Sequence, residues 1–384
     1  MKAIFVTFAD LGTRKNLKTD EILPALDYFE SKGEIVQVIS RMGHDVRFGN
    51  RQKSAIPWFV HGVIAVLGKL FGTIHARRLE EKLFDFSARR ILKEKGIVFF
   101  HPDLCPKTIT KAKRMGSVCV AIPSVADQRF VRKILEQEMK KWGGELKNDM
   151  LDPSSISEMD YIITNSSFGT QSYVSEGFPR EKIFTAQYDI DTEKFSPSTA
   201  PHSDGSFTVL FPASNTGILK GLQYLLDAWQ ELLIPNKKLI LFGIRSDWPV
   251  NAEKKYSQLI SSDPSIVSMG HVSNPLPIIQ QADVVVLPSF TEGFGKSIAE
   301  SLACGVPVIA TNRVTDLLHD KKNGVIVSVG ESKPIKDALE LLYKNPDIRK
   351  RLGQNGRTTM LDKRSFGEEL FSAYQTIKNN YEIK

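Results

Sequence analysis

Short apolar runs recur along this chain, each followed by a stretch with helical spacing, and the pattern occurs twice. KAIFVTF, EIVQVIS, GIVFF, VCVAIP and YIITN mark the first half, with amphipathic segments such as ITKAKRM between them. Strands of this kind, separated by helices, call for a parallel sheet covered on both faces. After IDTEKF the chain becomes SPSTAPHSDGS, polar and rich in Pro, Ser and Gly, which reads as a linker. FTVLFPA, KLILFG, SIVSMG, ADVVVLPS, GVPVIAT and GVIVSV then repeat the alternation, and helices close the chain. The expected class is α/β, with two Rossmann-like doubly wound domains facing a cleft. The boundaries read as 1–195 for the first domain, 196–206 for the linker, 207–365 for the second domain, and 366–384 for a final helix crossing back to the first. A length of 384 residues agrees, since a single core stops growing well short of it.

Hydrophobic residues at 41% and charged residues at 25% suit globular protein and argue against bulk disorder. The three cysteines, Cys105, Cys119 and Cys304, show neither CxxC pairing nor histidine clustering, so a reducing cytoplasm is expected. The N-terminal apolar run is short for a signal peptide and reads as a first strand. The net charge of +7 is uneven: residues 1 to 115 hold 21 Lys or Arg against 12 Asp or Glu. Such a field suits a phosphate-bearing partner, and equally a solvated basic face. No nucleic-acid-binding module is recognisable, so no nucleic acid partner is expected.

From Ser54 to Gly68 no residue is formally charged, and Trp58, Phe59, Val60, Val63, Ile64, Val66 and Leu67 line an apolar stripe at helical spacing. The run is too short to cross a bilayer. Arg51, Lys53, Lys69, Arg77 and Arg78 flank it as an interfacial helix would require, so peripheral contact with an anionic membrane through residues 51–78 is one reading. A helix packed into the first domain is the other.

The most informative stretch is ADVVVLPSFTEGFGKSIAESLACGVPVIAT, residues 282–311. A β-branched strand ends at Pro288, a loop carries Gly293 and Gly295, and a helix is expected from about Phe294 to Cys304. Glycines let backbone amides approach an anion, and a helix N-terminus adds partial positive charge. Lys296 and Ser297 can add an ammonium and a hydroxyl to this phosphate cradle. A P-loop is excluded, because its first glycine would fall on Phe290, and no GxGxxG follows the first strand. Glu292 and Glu300 are eight residues apart, or about 12 Å along a helix. That exceeds the separation of a hydrolytic carboxylate pair. They fit better as hydroxyl acceptors at the two ends of an extended ligand made of a sugar, a diphosphate and a ribose.

These residues resemble the Glu-x7-Glu signature of the retaining glycosyltransferases of family 4, whose fold is GT-B. HVSNPLPIIQQADVVVLPS, VTDLLHDKKNGVIVSVG and NPDIRKRLGQNGR are similar to that family's C-terminal domain, and GFPREKIF, IDTEKFSP and HPDLC to its first half. The resemblance implies an acceptor-binding first domain and a donor-binding second domain. Glu292 would accept from the donor sugar and Glu300 from the ribose, with Gly293, Phe294, Gly295, Lys296 and Ser297 around the diphosphate. His101 would point across the cleft at the sugar, and Lys220 would neutralise the departing diphosphate. Gly270, His271 and Val272 would read the base, and Asp10 and Gly12 would belong to the acceptor-side loop.

The implied reaction moves a sugar from a UDP- or GDP-linked donor to a saccharide or lipid-linked hydroxyl with retention, using no cofactor and no metal; the basic, partly amphipathic first half points to envelope polysaccharide or glycolipid synthesis. One departure stands out. Ser214 and Asn215, also assigned to the donor site, occupy positions where the family usually carries an arginine. An inactive nucleotide- or sugar-binding relative, or a GT-B epimerase or phosphorylase, therefore stays open. Asp189 and Asp191 in YDID mimic a DxD metal site but lack supporting ligands in sequence, so no metal is expected.

Overall fold

The computed structural model describes residues 1–11, 17–57, 60, 63–66, 69, 73–101, 104–146, 156–198, 205–213, 217–243 and 248–382. Gly12, Ser214, Asn215, Trp58, Phe59 and most of the 196–206 linker lie outside them.

Among the described residues the first sheet has seven strands: β1 Ala3–Leu11, β2 Ile35–Gly43, β3 Gln52–Ser54, β4 Ile97–Phe100, β5 Val118–Ala121, β6 Tyr161–Thr164 and β7 Ile183–Thr185. Their spatial order is β3-β2-β1-β4-β5-β6-β7. The second sheet has six: β8 Phe207–Phe211, β9 Lys237–Leu241, β10 Ile266–Ser268, β11 Val284–Leu287, β12 Val308–Thr311 and β13 Gly324–Val327. Its order is β10-β9-β8-β11-β12-β13. Every strand pair is parallel. Parallel strands need helical crossovers on both faces, which is why β4, β5, β8, β11 and β12 are buried throughout and, apart from Thr208 and Thr311, built of hydrophobic residues.

Strand order reverses between β1 and β4 in the first sheet and between β8 and β11 in the second. Beyond the carboxyl ends of strands at such a reversal the flanking loops part and leave a crevice. The loops after β4 and β11 therefore reach the cleft, and these carry His101 and Glu292.

The final helix, Phe366–Glu382, returns to the first domain. Its Phe371 and Tyr374 rings lie 5.0 and 5.1 Å from Phe29 of the Leu17–Ser31 helix. Tyr374 also donates to Glu34 Oε2 at 2.6 Å. Asp189 begins this helix by accepting from the Phe366 amide at 3.0 Å, and pairs with Lys363 at 3.1 Å. Asp191 accepts from the Glu193 and Lys194 amides in a turn. The two YDID carboxylates thus hold the chain where it crosses between domains.

Polar and aromatic contacts join the domains elsewhere. Tyr224 donates to the buried Glu138 at 2.9 Å, Trp142 meets Tyr256 with ring centroids 5.5 Å apart, and the Ser167 amide donates to Asp316 at 2.7 Å.

Candidate functional site

Beyond β11 the chain is fastened before it reaches the cleft. Thr311 donates to the Ser289 carbonyl at 2.7 Å, the Phe290 amide donates to the Leu219 carbonyl at 2.8 Å, and the Glu292 amide donates to the Arg313 carbonyl at 3.2 Å. Loop 288–295 is therefore tied to β12 and to the Ile218–Lys220 turn, so Glu292 and Lys220 are presented together. Lys220 Nζ lies 2.6 Å from Glu292 Oε1, with 30% and 14% of the two side chains exposed.

Gly295 has φ +70°, and a Cβ there would lie 2.7 Å from Val314 Cγ1 and 2.9 Å from its carbonyl oxygen. Only glycine fits, and it caps the Lys296–Ala303 helix. The helix thus starts two residues later than the sequence pattern suggests, because the left-handed turn at Gly295 sets its first residue. Its outermost amides have no partner within the helix and face the end where an anion would sit.

Glu300 is 9% exposed, and burial pushes its carboxyl up to about 7, with Lys296 and Lys194 pulling the other way. A carboxyl raised in the folded state binds more protons there than in the unfolded chain. Stability must then fall as pH rises from the ordinary carboxylate range to about 7, and the full penalty applies above it. Glu300→Gln should therefore raise Tm at pH 8 and leave it nearly unchanged at pH 5. The expected gain at pH 8 is of order 3 kcal/mol as an upper bound; equal gains at both pH values would contradict it.

The first domain contributes His101, immediately after β4, whose Nε2 lies 3.1 Å from Ser124 Oγ. Ser124 follows β5 and touches loop 288–295 directly: a Cβ on Gly293 would lie 1.8 Å from the Ser124 carbonyl oxygen and 3.4 Å from Val125 Cα. Tyr188 is buried, with its ring 5.9 Å from Phe294 and its hydroxyl beside Ser124 and Asn165, and burial pushes its phenol up. A cavity of about 40 Å³ beside the middle of β1 and the carboxyl ends of β4 and β5 is lined by Thr7, Glu21, His101, Ile122 and Tyr188 among others. That holds about one or two waters or a hydroxymethyl group.

Other sequence-assigned residues sit further out. Gly270 accepts from the Gly243 amide at 2.7 Å, which joins the loops after β10 and β9; His271 is exposed, and Val272 packs against the core. Lys296 is exposed and Ser297 half-buried at the helix start. Asp10 is not on a loop: it belongs to β1, is 4% exposed, and its Oδ1 accepts from Arg41 Nε at 2.7 Å, while Arg41 also pairs with Glu80 at 2.9 Å. Among the described residues, no three His, Cys, Asp or Glu side chains gather as a metal would need.

The sequence reading missed Ser124, Tyr188 and Glu21. Ser124 could have been sought from its place after the strand next to β4; the other two come together only through tertiary contacts.

Residues 206–345 match the family model described as Glycosyl transferases group 1. Among curated proteins, a capsular polysaccharide biosynthesis glycosyltransferase, CapM, of Staphylococcus aureus is 31% identical over 172 residues, covering 43% of this chain and 45% of its own length. A D-inositol 3-phosphate glycosyltransferase of an Arthrobacter species is 31% identical over 206 residues, covering 49% of this chain and 47% of its own. The chain thus spans about half the length of these relatives in each match. Among solved structures, Anabaena Alr3699/HepE in complex with UDP superposes with TM-score 0.63 at 14% identity, covering 100% of both chains. Sucrose-phosphate synthase of Thermosynechococcus elongatus superposes with TM-score 0.65 at 15% identity, also covering 100% of both. The two parallel-sheet domains form a GT-B fold, and the second of them, over residues 206–345, is similar to the group 1 glycosyl transferases.

Proposed function

We propose that this protein is a retaining, metal-independent glycosyltransferase that moves a hexosyl group from a UDP- or GDP-linked donor to a hydroxyl on a saccharide or lipid-linked acceptor. The observation that carries the reading is the joint presentation of Lys220 and Glu292 at 2.6 Å, beside a glycine-capped helix start whose Glu300 is buried. The diphosphate would lie on the amides at 295–297, with Glu292 toward the sugar and Glu300 toward the ribose.

His101 of the first domain contacts the Ser124 side chain, and the Ser124 backbone lies against Gly293 of this loop. An acceptor entering from that side would attack from the face that the diphosphate leaves, and a donor phosphate oxygen would take the proton. Lys220 and the helix start would hold the charge that develops on the leaving group. Closure of the two domains over the donor would exclude water and limit hydrolysis.

Similarity to a capsular polysaccharide enzyme supports a role in envelope polysaccharide synthesis; the proposed place of action, for that or a glycolipid product, is the cytoplasmic face of a membrane. Residues 51–78 would supply peripheral contact: Ile64 is buried, but Val63 and Val66 are 58% and 56% exposed beside exposed Lys69, Arg77 and Arg78. Among the described residues no helix is long and apolar enough to cross a membrane.

A thermal-shift screen of UDP, GDP and their sugar conjugates tests the donor assignment. A nucleotide held at 100 times its Kd should add about 2.7 kcal/mol of stability. One base should raise Tm by several degrees over the other, and no shift with any nucleoside diphosphate would contradict the reading.

A further inference from the structure

The two side chains that would handle the donor hold each other. Lys220 and Glu292 meet at 2.6 Å, largely sheltered from water. Their backbones cannot drift apart freely, because the Phe290 amide donates to the Leu219 carbonyl at 2.8 Å and Ser289 Oγ lies 3.1 Å from the same oxygen. Separation therefore falls to side-chain rotation. A diphosphate arriving at Lys220 meets an ammonium already committed to a carboxylate, and the two anions repel each other across it.

We propose that Glu292 is an internal competitor for the diphosphate, held off Lys220 only while a sugar is attached to the nucleotide. The proposal rests on the donor reading above. With an intact donor, the sugar hydroxyls donate to the Glu292 carboxylate, which turns toward them and leaves Lys220 to the diphosphate. Once the sugar has passed to the acceptor, Glu292 has no hydroxyls to accept from and returns to Lys220. The ammonium is then shared between Glu292 and the product, so the spent nucleoside diphosphate is held less tightly than the donor by more than the lost sugar contacts alone. One residue thus grips the substrate and, after transfer, helps expel the leaving group. The same contact makes the empty site prefer sugar-bearing nucleotides to bare ones.

The test is isothermal titration of UDP and GDP into the full chain, as wild type, Glu292→Gln, Glu292→Ala, Lys220→Met, and Lys220→Met with Glu292→Gln, each checked by circular dichroism. Glu292→Gln should abolish most transfer yet bind whichever nucleoside diphosphate the wild type accepts about three- to tenfold more tightly, as release of a partly shielded ion pair allows. Glu292→Ala should tighten binding in the same direction and serves as the second variant should the glutamine form fold poorly. On the Lys220→Met background the gain from Glu292→Gln should shrink, because no ammonium remains to be freed. Folded Glu292 variants that bind the diphosphate equally or more weakly would overturn the proposal while leaving the donor reading intact. Wild type that binds neither UDP nor GDP would instead sink the donor reading itself.

Discussion

Replacing Gly293 by alanine is expected to lower kcat/KM by about a hundredfold while leaving both domains folded, because misplacing reacting groups by about an ångström costs on that scale. The added methyl would lie 1.8 Å from the Ser124 carbonyl oxygen and 2.8 Å from its carbon, and both are backbone atoms that no rotamer change can move aside. The domains must then part where loop 288–295 meets the segment after β5. His101 is carried on that side through its contact with Ser124, so it withdraws from the donor as the loop does. Nucleotide affinity should fall only a few-fold, since the cup belongs to the second domain alone. Parallel measurements of transfer and UDP or GDP binding check this. Transfer within threefold of wild type would show that the contact is no part of the working arrangement.

Lys220→Ala is expected to lower kcat by two to three orders of magnitude, about 2.7–4 kcal/mol, the range found when one preorganised electrostatic contact to a developing charge is removed. The fold should survive, since the side chain is 30% exposed and its turn is anchored through the Leu219 carbonyl. Loss of the ammonium also leaves Glu292 facing the diphosphate uncompensated, so nucleotide affinity should fall with kcat. Steady-state kinetics with matched circular dichroism check this, and unchanged kcat would remove Lys220 from leaving-group stabilisation.

Much of the architecture is visible in the sequence because parallel strands buried on both faces must be near-continuous apolar runs, as IVFF and VVVL are. Strand reversal beside β4 and β11 then accounts for why His101 and Glu292 fall at the cleft. Contacts between distant parts of the chain are harder to read. Lys220 and Glu292 stand 72 positions apart, and the resemblance assigns them separate tasks rather than a mutual pair. The resemblance assigns Asp10 to a loop, whereas it ends up in β1, where Arg41, 31 positions away, draws its carboxylate into an ion-pair cluster with Glu80. Ser124 carries no motif; its importance arises from the bare Gly293 backbone pressed against it from the other domain. The onset of the Lys296–Ala303 helix was displaced for a local reason, the positive φ at Gly295, which a periodicity argument does not register.

The most direct measurement is a crystal structure of the full chain grown with UDP or GDP, whichever gives the larger thermal shift. The diphosphate should rest on the amides of residues 295–297 with Lys220 turned onto it, the ribose hydroxyls within hydrogen-bond distance of Glu300, and Glu292 free to face the sugar position. A nucleotide seated elsewhere, or Glu292 and Glu300 both directed away from it, would contradict the account.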